Sequence, residues 1–423
     1  MNRFVRSRDS SCMCMFAGLL VLLTWCPALV TAGTYGGGSG TADDPFLIQT
    51  AEQFAAIGET PADWDRRFKL TNDIDLSGYD QTNFDPIGRW VVAGWSENQP
   101  FSGRFDGNGK TIRGFQYRDM ESQYVGLFQY VTGQIVNLRV AGAKLSANGV
   151  GVGALIGYLE KGAVSDCSAV QVTVSGNEGA GALVGVVDGT LYASWSSGNV
   201  SGVRYAGGLV GRVGGGRVTR SYSKASVVGR EAVGGLVGGT SKGTSIVDYC
   251  YAVGPVDGDT GVGGLIGHVG GVVAWCYSAG KVTGEQSVGG LVAHQYALAD
   301  VHSSVWDRET SGQTTSAGGT GKSTAEMKSI DTYLSVNFDF GGMWTICEGR
   351  AYPILLWQIP PGDLRCPDGV NFTDFVWFAA GWRHADCGVL NYSCEGADLD
   401  GTGNVDVRDL AIFSANWLVG VEW

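Results

Sequence analysis

Six oxygen-bearing residues near the C-terminus stand at the spacing of a twelve-residue calcium-binding loop. The segment from Asp398 to Asp409 reads DLDGTGNVDVRD. It places Asp398, Asp400 and Thr402 at positions 1, 3 and 5, and Gly403 at the turn position 6. Asn404 falls at position 7, where a backbone carbonyl ligates, with Asp406 at 9 and Asp409 at 12. Calcium takes hard oxygen ligands that converge from a sharply turned loop, and this spacing supplies them; a solvated acidic turn is the bland alternative.

A helix must hold the last ligand, and DLAIFSANWL from Asp409 fits one. The same design occurs earlier: Asp374 lies 35 residues before Asp409, and Trp382 lies 35 before Trp417. Read from its glycine, the earlier copy is one residue short between Gly369 and Asp374, with Leu364 or Cys366 where early carboxylates belong. Asp368, Asn371 and Asp374 remain as a weaker metal set, and Cys366, Cys387 and Cys394 offer a covalent staple in its place. This duplication, over about residues 362–423, resembles a type I dockerin with EF-hand-like loops. The resemblance implies a small α-helical, calcium-binding module that docks onto a cohesin-type protein partner in bacterial polysaccharide-degrading assemblies.

Upstream, one phrase returns seven times: VGLF from Val125, VGALIG from Val152, AGALVG from Ala180, AGGLVG from Ala206, VGGLVG from Val233, VGGLIG from Val262 and VGGLVA from Val288. Its leucines, Leu127, Leu155, Leu183, Leu209, Leu236, Leu265 and Leu291, recur every 26 to 29 residues. A period in the twenties marks a solenoid, whose repeats bury their apolar sides only by stacking. Each period holds short runs rich in Val, Tyr and Thr separated by Gly, which read as strands, and no run sustains a helical apolar stripe. The fold class is therefore all-β: a parallel β-solenoid, or β-helix, of about seven coils. Seven leucines in register at about 4.8 Å per coil form an inward ladder roughly 30 Å long. The doubled glycines suit tight bends or close packing. These motifs resemble the GLUG repeat of bacterial secreted and surface proteins, which implies surface-associated binding or adhesion.

A solenoid needs both ends covered. Residues 33–120 are read as an N-terminal cap, with a capped helix starting at Thr50 and a hairpin or tight turn at Asp106-Gly107-Asn108-Gly109. Residues 121–293 form the solenoid. Residues 294–359 are its C-terminal cap, with MWTICEGRAYPILLW as a final strand over the last coil, and Pro360-Pro361-Gly362 is a linker.

Residues 1–32 read as a signal peptide: Arg3, Arg6 and Arg8 precede an apolar run from Met15 to Trp25, too short to span a bilayer, then Val30-Thr31-Ala32. Removing it leaves 26 basic and 40 acidic residues, a net charge of −14 against −12 for the whole chain. That balance disfavours nucleic acid and suits a secreted, extracellular or cell-surface protein. No transmembrane segment is expected after cleavage. Seven cysteines remain, an odd number. Cys250 and Cys276 hold one repeat position on adjacent coils, where a disulfide and an unbonded stacked pair are both open.

Catalytic motifs are absent. GGTGKST at Gly318 to Thr324 has Ser316 where a phosphate loop needs its first Gly, so no nucleotide is expected. The four histidines lack metal spacing. Charged residues are sparse in the coils, and no two carboxylates are read at one repeat position, against a paired-carboxylate glycosidase. Asp73, Asp75, Asp80 and Asp85 near Trp64, Trp90 and Trp95 are the best place for sugar chemistry. The expected function is non-catalytic adhesion or contact with an extracellular polysaccharide; the alternative is a polysaccharide hydrolase or lyase.

Overall fold

A computed structural model describes residues 34–91, 95–241, 243–366, 368–387, 394 and 396–420. The signal-peptide reading of residues 1–32 lies outside them. The chain winds as a parallel β-solenoid with three faces. One face is a sheet of 10 strands from Phe46–Ile48 to Asp300–His302, and another has 7 strands from Phe128–Val131 to Val292–Gln295. The third face is an 18-stranded sheet, because most coils contribute two or more strands to it, although one gives the single long strand Trp195–Gly207. Registers run straight up the stack: Phe105 pairs with Ile135, Ile135 with Val164, and Val164 with Leu191.

The leucine ladder is the core. All seven leucines have 0% exposure. From Leu155 to Leu265 each leucine N–H donates to the carbonyl of the next coil's leucine at 2.9–3.0 Å. Burying each side chain contributes about 1.5–3 kcal/mol.

The coils extend past residues 121–293 at both ends, which corrects the cap boundaries. Phe46–Ile48, Arg67–Leu70 and Arg104–Asp106 already pair in parallel and hand on to Gln134–Val136. The covering element proper is helix α1, Ala51–Glu59, whose Thr50 side chain accepts from the Gln53 N–H as expected. Its Phe54 lies between Phe84 and Phe105, with ring centroids 6.0 and 5.8 Å away. Asp106 to Gly109 is a tight turn and not a hairpin, with positive φ at Asn108 and Gly109. It turns the chain from one sheet to another between Arg104–Asp106 and Thr111–Arg113.

At the other end, the phosphate-loop lookalike supplies the last strand. Thr320–Lys322 pairs in parallel with Val305–Asp307. The expected closing strand MWTICEGRAYPILLW does something different. Trp344–Thr345 and Ile354–Leu355 form a small antiparallel pair, and it lies along the solenoid's flank. There Trp195, Tyr222, Tyr251 and Tyr277 stack on successive coils with centroids 5.6, 4.8 and 4.9 Å apart. Trp344 packs on Tyr251 and Tyr277, the Tyr277 hydroxyl donates to the Pro353 carbonyl, and Trp357 Nε1 donates to the Arg220 carbonyl. Stacked aromatics in register leave an apolar stripe that needs cover, and the tail provides it. Trp344→Ala should cost about 3–5 kcal/mol and loosen the flank, read as faster hydrogen exchange at Tyr251 and Tyr277.

The doubled glycines serve close packing and not left-handed bends. A Cβ on Gly235 would stand 2.2 Å from the Gly264 carbonyl oxygen. Positive φ falls instead on two recurring positions, one being Ala193, Arg220, Tyr249 and Trp275 and the other Tyr205, Ala232, Gly261 and Ser287. Each of the first set precedes a member of an internal ladder of small side chains: Ser194, Ser221, Cys250 and Cys276. The hydroxyls and thiols bond the carbonyl two residues back, and the Ser194 and Ser221 hydroxyls also accept the backbone N–H of Cys167 and Ser194 on the neighbouring coil. Cys250 and Cys276 are buried and unbonded, as is Cys167. The stacked-pair alternative therefore holds, and three thiols are free where parity demands one.

The C-terminal residues build a separate small core from Val370, Phe378, Ala397, Val405 and Phe413. Two helices frame it, α2 (Phe372–Gly381) and α3 (Val407–Ala415). Disulfides join Cys387 to Cys394 within it, and Cys347 to Cys366 across to the solenoid's closing segment.

Candidate metal centre

The two loop-helix copies repeat the bonds around their last carboxylate and helix cap at an offset of 35. In the second, the N–H groups of Leu399 and Asp400 donate to one Asp409 oxygen at 2.7 and 3.0 Å, and Asp406 N–H donates to the other at 2.7 Å. In the first, Leu364 and Arg365 donate to one Asp374 oxygen at 2.8 and 3.1 Å, and Asn371 N–H to the other at 2.9 Å. Asp406 and Asn371 cap their helices by accepting from Arg408 and Thr373. Val370 exchanges backbone bonds with Leu418 and Val419, and its counterpart Val405 does so with Arg383 and His384. These are the same positions again, so the module has an internal two-fold pattern.

Each copy gathers three carboxylates. Ligand atoms of Asp398, Asp400 and Asp409 lie within 4.8 Å of one another, as do those of Asp363, Asp368 and Asp374. Asp409 and Asp374 are buried and Asp398 nearly so. Asp398 accepts from the Thr402 and Gly403 N–H groups, which hold the turn. Of the remaining predicted residues, Asp406 stays outside the carboxylate cluster because it caps α3, consistent with a position that often ligates through water. Asn404 sits on the backbone bridge to Ala385. Asn371, on the first loop, caps α2 and donates to Asp368.

Asp363 is the residue that sequence reasoning missed, and with it the first loop needs correction. Its loop is not one residue short: Asp363 to Asp374 spans the same length as Asp398 to Asp409. The glycine is displaced, with Gly369 donating to Asp363 where Gly403 donates to Asp398, and in sequence Arg365 and Pro367 stand at the places of Asp400 and Thr402, so Asp368 supplies the third carboxylate instead. Anchoring on glycine hid the match, whereas stepping 35 residues back from Asp398 finds Asp363 directly. One Asp363 oxygen is buried without a hydrogen-bond partner. Burial pushes its carboxyl up to about 7 despite the Gly369 N–H, and Asp374 and Asp368 add like charge. Three carboxylates around an orphaned oxygen fit a hard divalent cation, with oxygen as the only donor type.

The other predicted place for chemistry dissolves into structure. Trp64 is 4% exposed and donates to the Ile57 carbonyl, so it offers no ring to a sugar. Asp73 accepts the Thr111 N–H, Asp75 pairs with Arg113, and Asp80 holds its own turn through Thr82. Trp90 packs edge-on across Tyr124, Tyr130 and Tyr158. Two carboxylates do share a repeat position, against expectation. Leu159 pairs with Val187, so Glu160 and Asp188, next in the chain, stand on adjacent coils. Tyr130 donates to Glu160 and Tyr158 to Asp188.

No family model matches the chain. A candidate Gly-rich membrane protein of Evansella cellulosilytica is 34% identical over 131 residues, 30% of this chain and 14% of that protein. The halomucin of Haloquadratum walsbyi is 32% identical over 353 residues, 79% of this chain and 4% of its own length. The chain thus spans a small fraction of either relative. A solved structure, that of a candidate immunoglobulin A1 protease from Bacteroides ovatus, aligns with a TM-score of 0.51 at 21% identity, covering 77% of this chain and 96% of that one. What they share is the fold. Among the described residues no helix is long and apolar enough to cross a membrane.

Proposed function

We propose that this chain is an exported, surface-associated β-solenoid of the GLUG-repeat kind that serves adhesion or carbohydrate contact and ends in a dockerin-like calcium module. The observation that carries the reading is the pair of loops, matched at an offset of 35, each closing three carboxylates within 4.8 Å. Calcium neutralises charges the fold has forced together, and so fixes α2 and α3. Those helices then present apolar side chains to water: Phe372 at 71% exposure and its counterpart Val407 at 69%, with Phe375 and Leu410 beside them. Exposed apolar faces on a small module mark a docking surface, and a cohesin-type protein is the occupant the loop-helix pair implies. The names of the relatives, a membrane protein and a halomucin, accord with a surface location.

Phe372→Asp with Val407→Asp should lower capture by an immobilised cohesin-type domain at least tenfold while thermal stability changes by about 0.5 kcal/mol or less, since both residues are exposed. Unchanged capture would remove the docking half. Binding of the full chain to glycans or cells at background level would remove the adhesion half.

A second reading has one observation behind it. The backbones at Glu160 and Asp188 lie on adjacent coils about one strand spacing, roughly 5 Å, apart, which brings two carboxylates near the spacing a retaining glycosidase uses between its carboxyl groups. Release of reducing ends from a polysaccharide panel, lost in Glu160→Gln, would promote it; no release from any polysaccharide would end it.

A further inference from the structure

Where the loop after Leu76 folds over the 18-stranded sheet, it walls a groove of about 360 Å³. Asp80 and Gln81 form the wall, and the floor is outward-facing side chains of three consecutive coils. Alternation in the strands sets that floor. In Gln116–Asp119 and Lys144–Ala147 the apolar partners Tyr117 and Leu145 point inward and are buried, so Gln116, Arg118, Lys144 and Ser146 point out. Lys144 pairs in turn with Thr173, and Ser146 with Ser175, which continues the floor in hydroxyls.

The charges of this groove run against those of the chain. In a protein with a net charge of −12, Arg118 and Lys144 are both exposed, and neither forms an ion pair among the described residues. Elsewhere on the coils several exposed arginines are matched, Arg113 by Asp75, Arg204 by Glu231 and Arg230 by Asp259, while Arg67 and Arg139 form no ion pair among the described residues. Within the groove the one carboxylate, Asp80, is turned to its own loop, with an oxygen accepting from the Thr82 N–H and hydroxyl at 2.8 and 2.6 Å. Gln81 is fixed over the floor by the Arg118 N–H at 3.2 Å. The result is two free cations held on rigid strands, surrounded by hydroxyl and carboxamide groups that donate and accept.

We infer that this groove binds an acidic polysaccharide with one carboxylate per sugar, a polyuronate chain. The inference rests on the carbohydrate-contact reading above and names its ligand class and place. Arg118 offers a planar fork to a carboxylate and Lys144 a compact charge beside it. The hydroxyls and carboxamides suit the free hydroxyl groups of the sugars. Asp80 in the wall repels any anionic chain in proportion to its charge density, so one carboxylate per sugar is tolerated better than several sulfates.

The test is titration of the full oxidised chain at constant calcium with short galacturonate oligomers, neutral glucose oligomers and sulfated dextran. Saturable binding of the galacturonate oligomers is expected, weakened at least tenfold in Arg118→Gln/Lys144→Gln and weakened by added salt. Arg230→Gln, a matched arginine on the same sheet, should leave the affinity unchanged. Equal thermal stability of the variants excludes misfolding, since all three positions are exposed. Binding of galacturonate that survives the double substitution, or stronger binding of sulfated dextran, overturns the assignment. Binding of neutral oligomers alone overturns it too while leaving carbohydrate contact standing, whereas binding of no glycan removes both.

Discussion

Asp409→Ala is expected to abolish calcium binding in the second loop and melt the C-terminal module, while the β signal of the solenoid stays intact. Asp409 is fully buried and its two oxygens accept three N–H groups, from Leu399, Asp400 and Asp406. Losing them orphans three donors at about 1–3 kcal/mol each. The lost ion removes about 4 kcal/mol more if free calcium stands a thousandfold above its Kd. Either loss exceeds what a core of five or six apolar residues can spare. The solenoid shares no carboxylate with the loop and has its own core, so its transition should not move. Circular dichroism melting of the oxidised chain checks this: an early helical transition followed by an unchanged β transition is the expected trace. Asp409→Asn keeps an acceptor oxygen and loses the charge, so it should retain more of the fold while still losing calcium. A single joint transition would contradict the independence of the two parts.

The second large effect belongs to the coils. Gly235→Val should destabilise the solenoid by about 3 kcal/mol or more, because its Cβ would stand 2.2 Å from the Gly264 carbonyl oxygen and 2.9 Å from Ala252 Cβ. Backbone cannot yield there without breaking the register of the coil that carries Leu265. Disturbance should spread to the coils on either side and stop, because each repeat touches only its neighbours. Hydrogen exchange is expected to accelerate around Leu209, Leu236 and Leu265, with Leu155 still protected. Val228→Ala, on the same coil and 51% exposed, should change stability by about 0.5 kcal/mol or less. Uniform loss of protection along the whole stack would contradict nearest-neighbour coupling.

These contrasts show what the residues disclose in advance. The leucine period was legible because every coil spends one fully buried leucine at the same place, and stacking forbids drift. The ends were less legible, since Phe46, Phe68 and Phe105 form coils without the Gly-Leu phrase, so a motif-based boundary stops short. The flank was not legible, because the contact between Trp357 and Arg220 spans 137 residues. In the loops, chemistry was read from the ligands where the spacing was whole, as with Asp398 and Asp409. It was misread where one glycine had slipped, and that slip concealed Asp363. The Glu160 and Asp188 pairing was legible, since each lies five residues after its repeat leucine, Leu155 and Leu183, and reading the coils only for charge content passed over it.

The measurement that bears most directly on the calcium module is calorimetric titration of calcium into the full, oxidised chain. Its integrity matters, because Cys366 in the first loop is bonded to Cys347 of the solenoid, so an isolated module would lose that tie. Two ions bound per chain, falling to one in Asp409→Asn and to one in Asp374→Asn, which keep an acceptor oxygen in place, is the predicted result. Heats no larger than dilution would contradict the account, leaving the carboxylate clusters without their cation and the module without its proposed role.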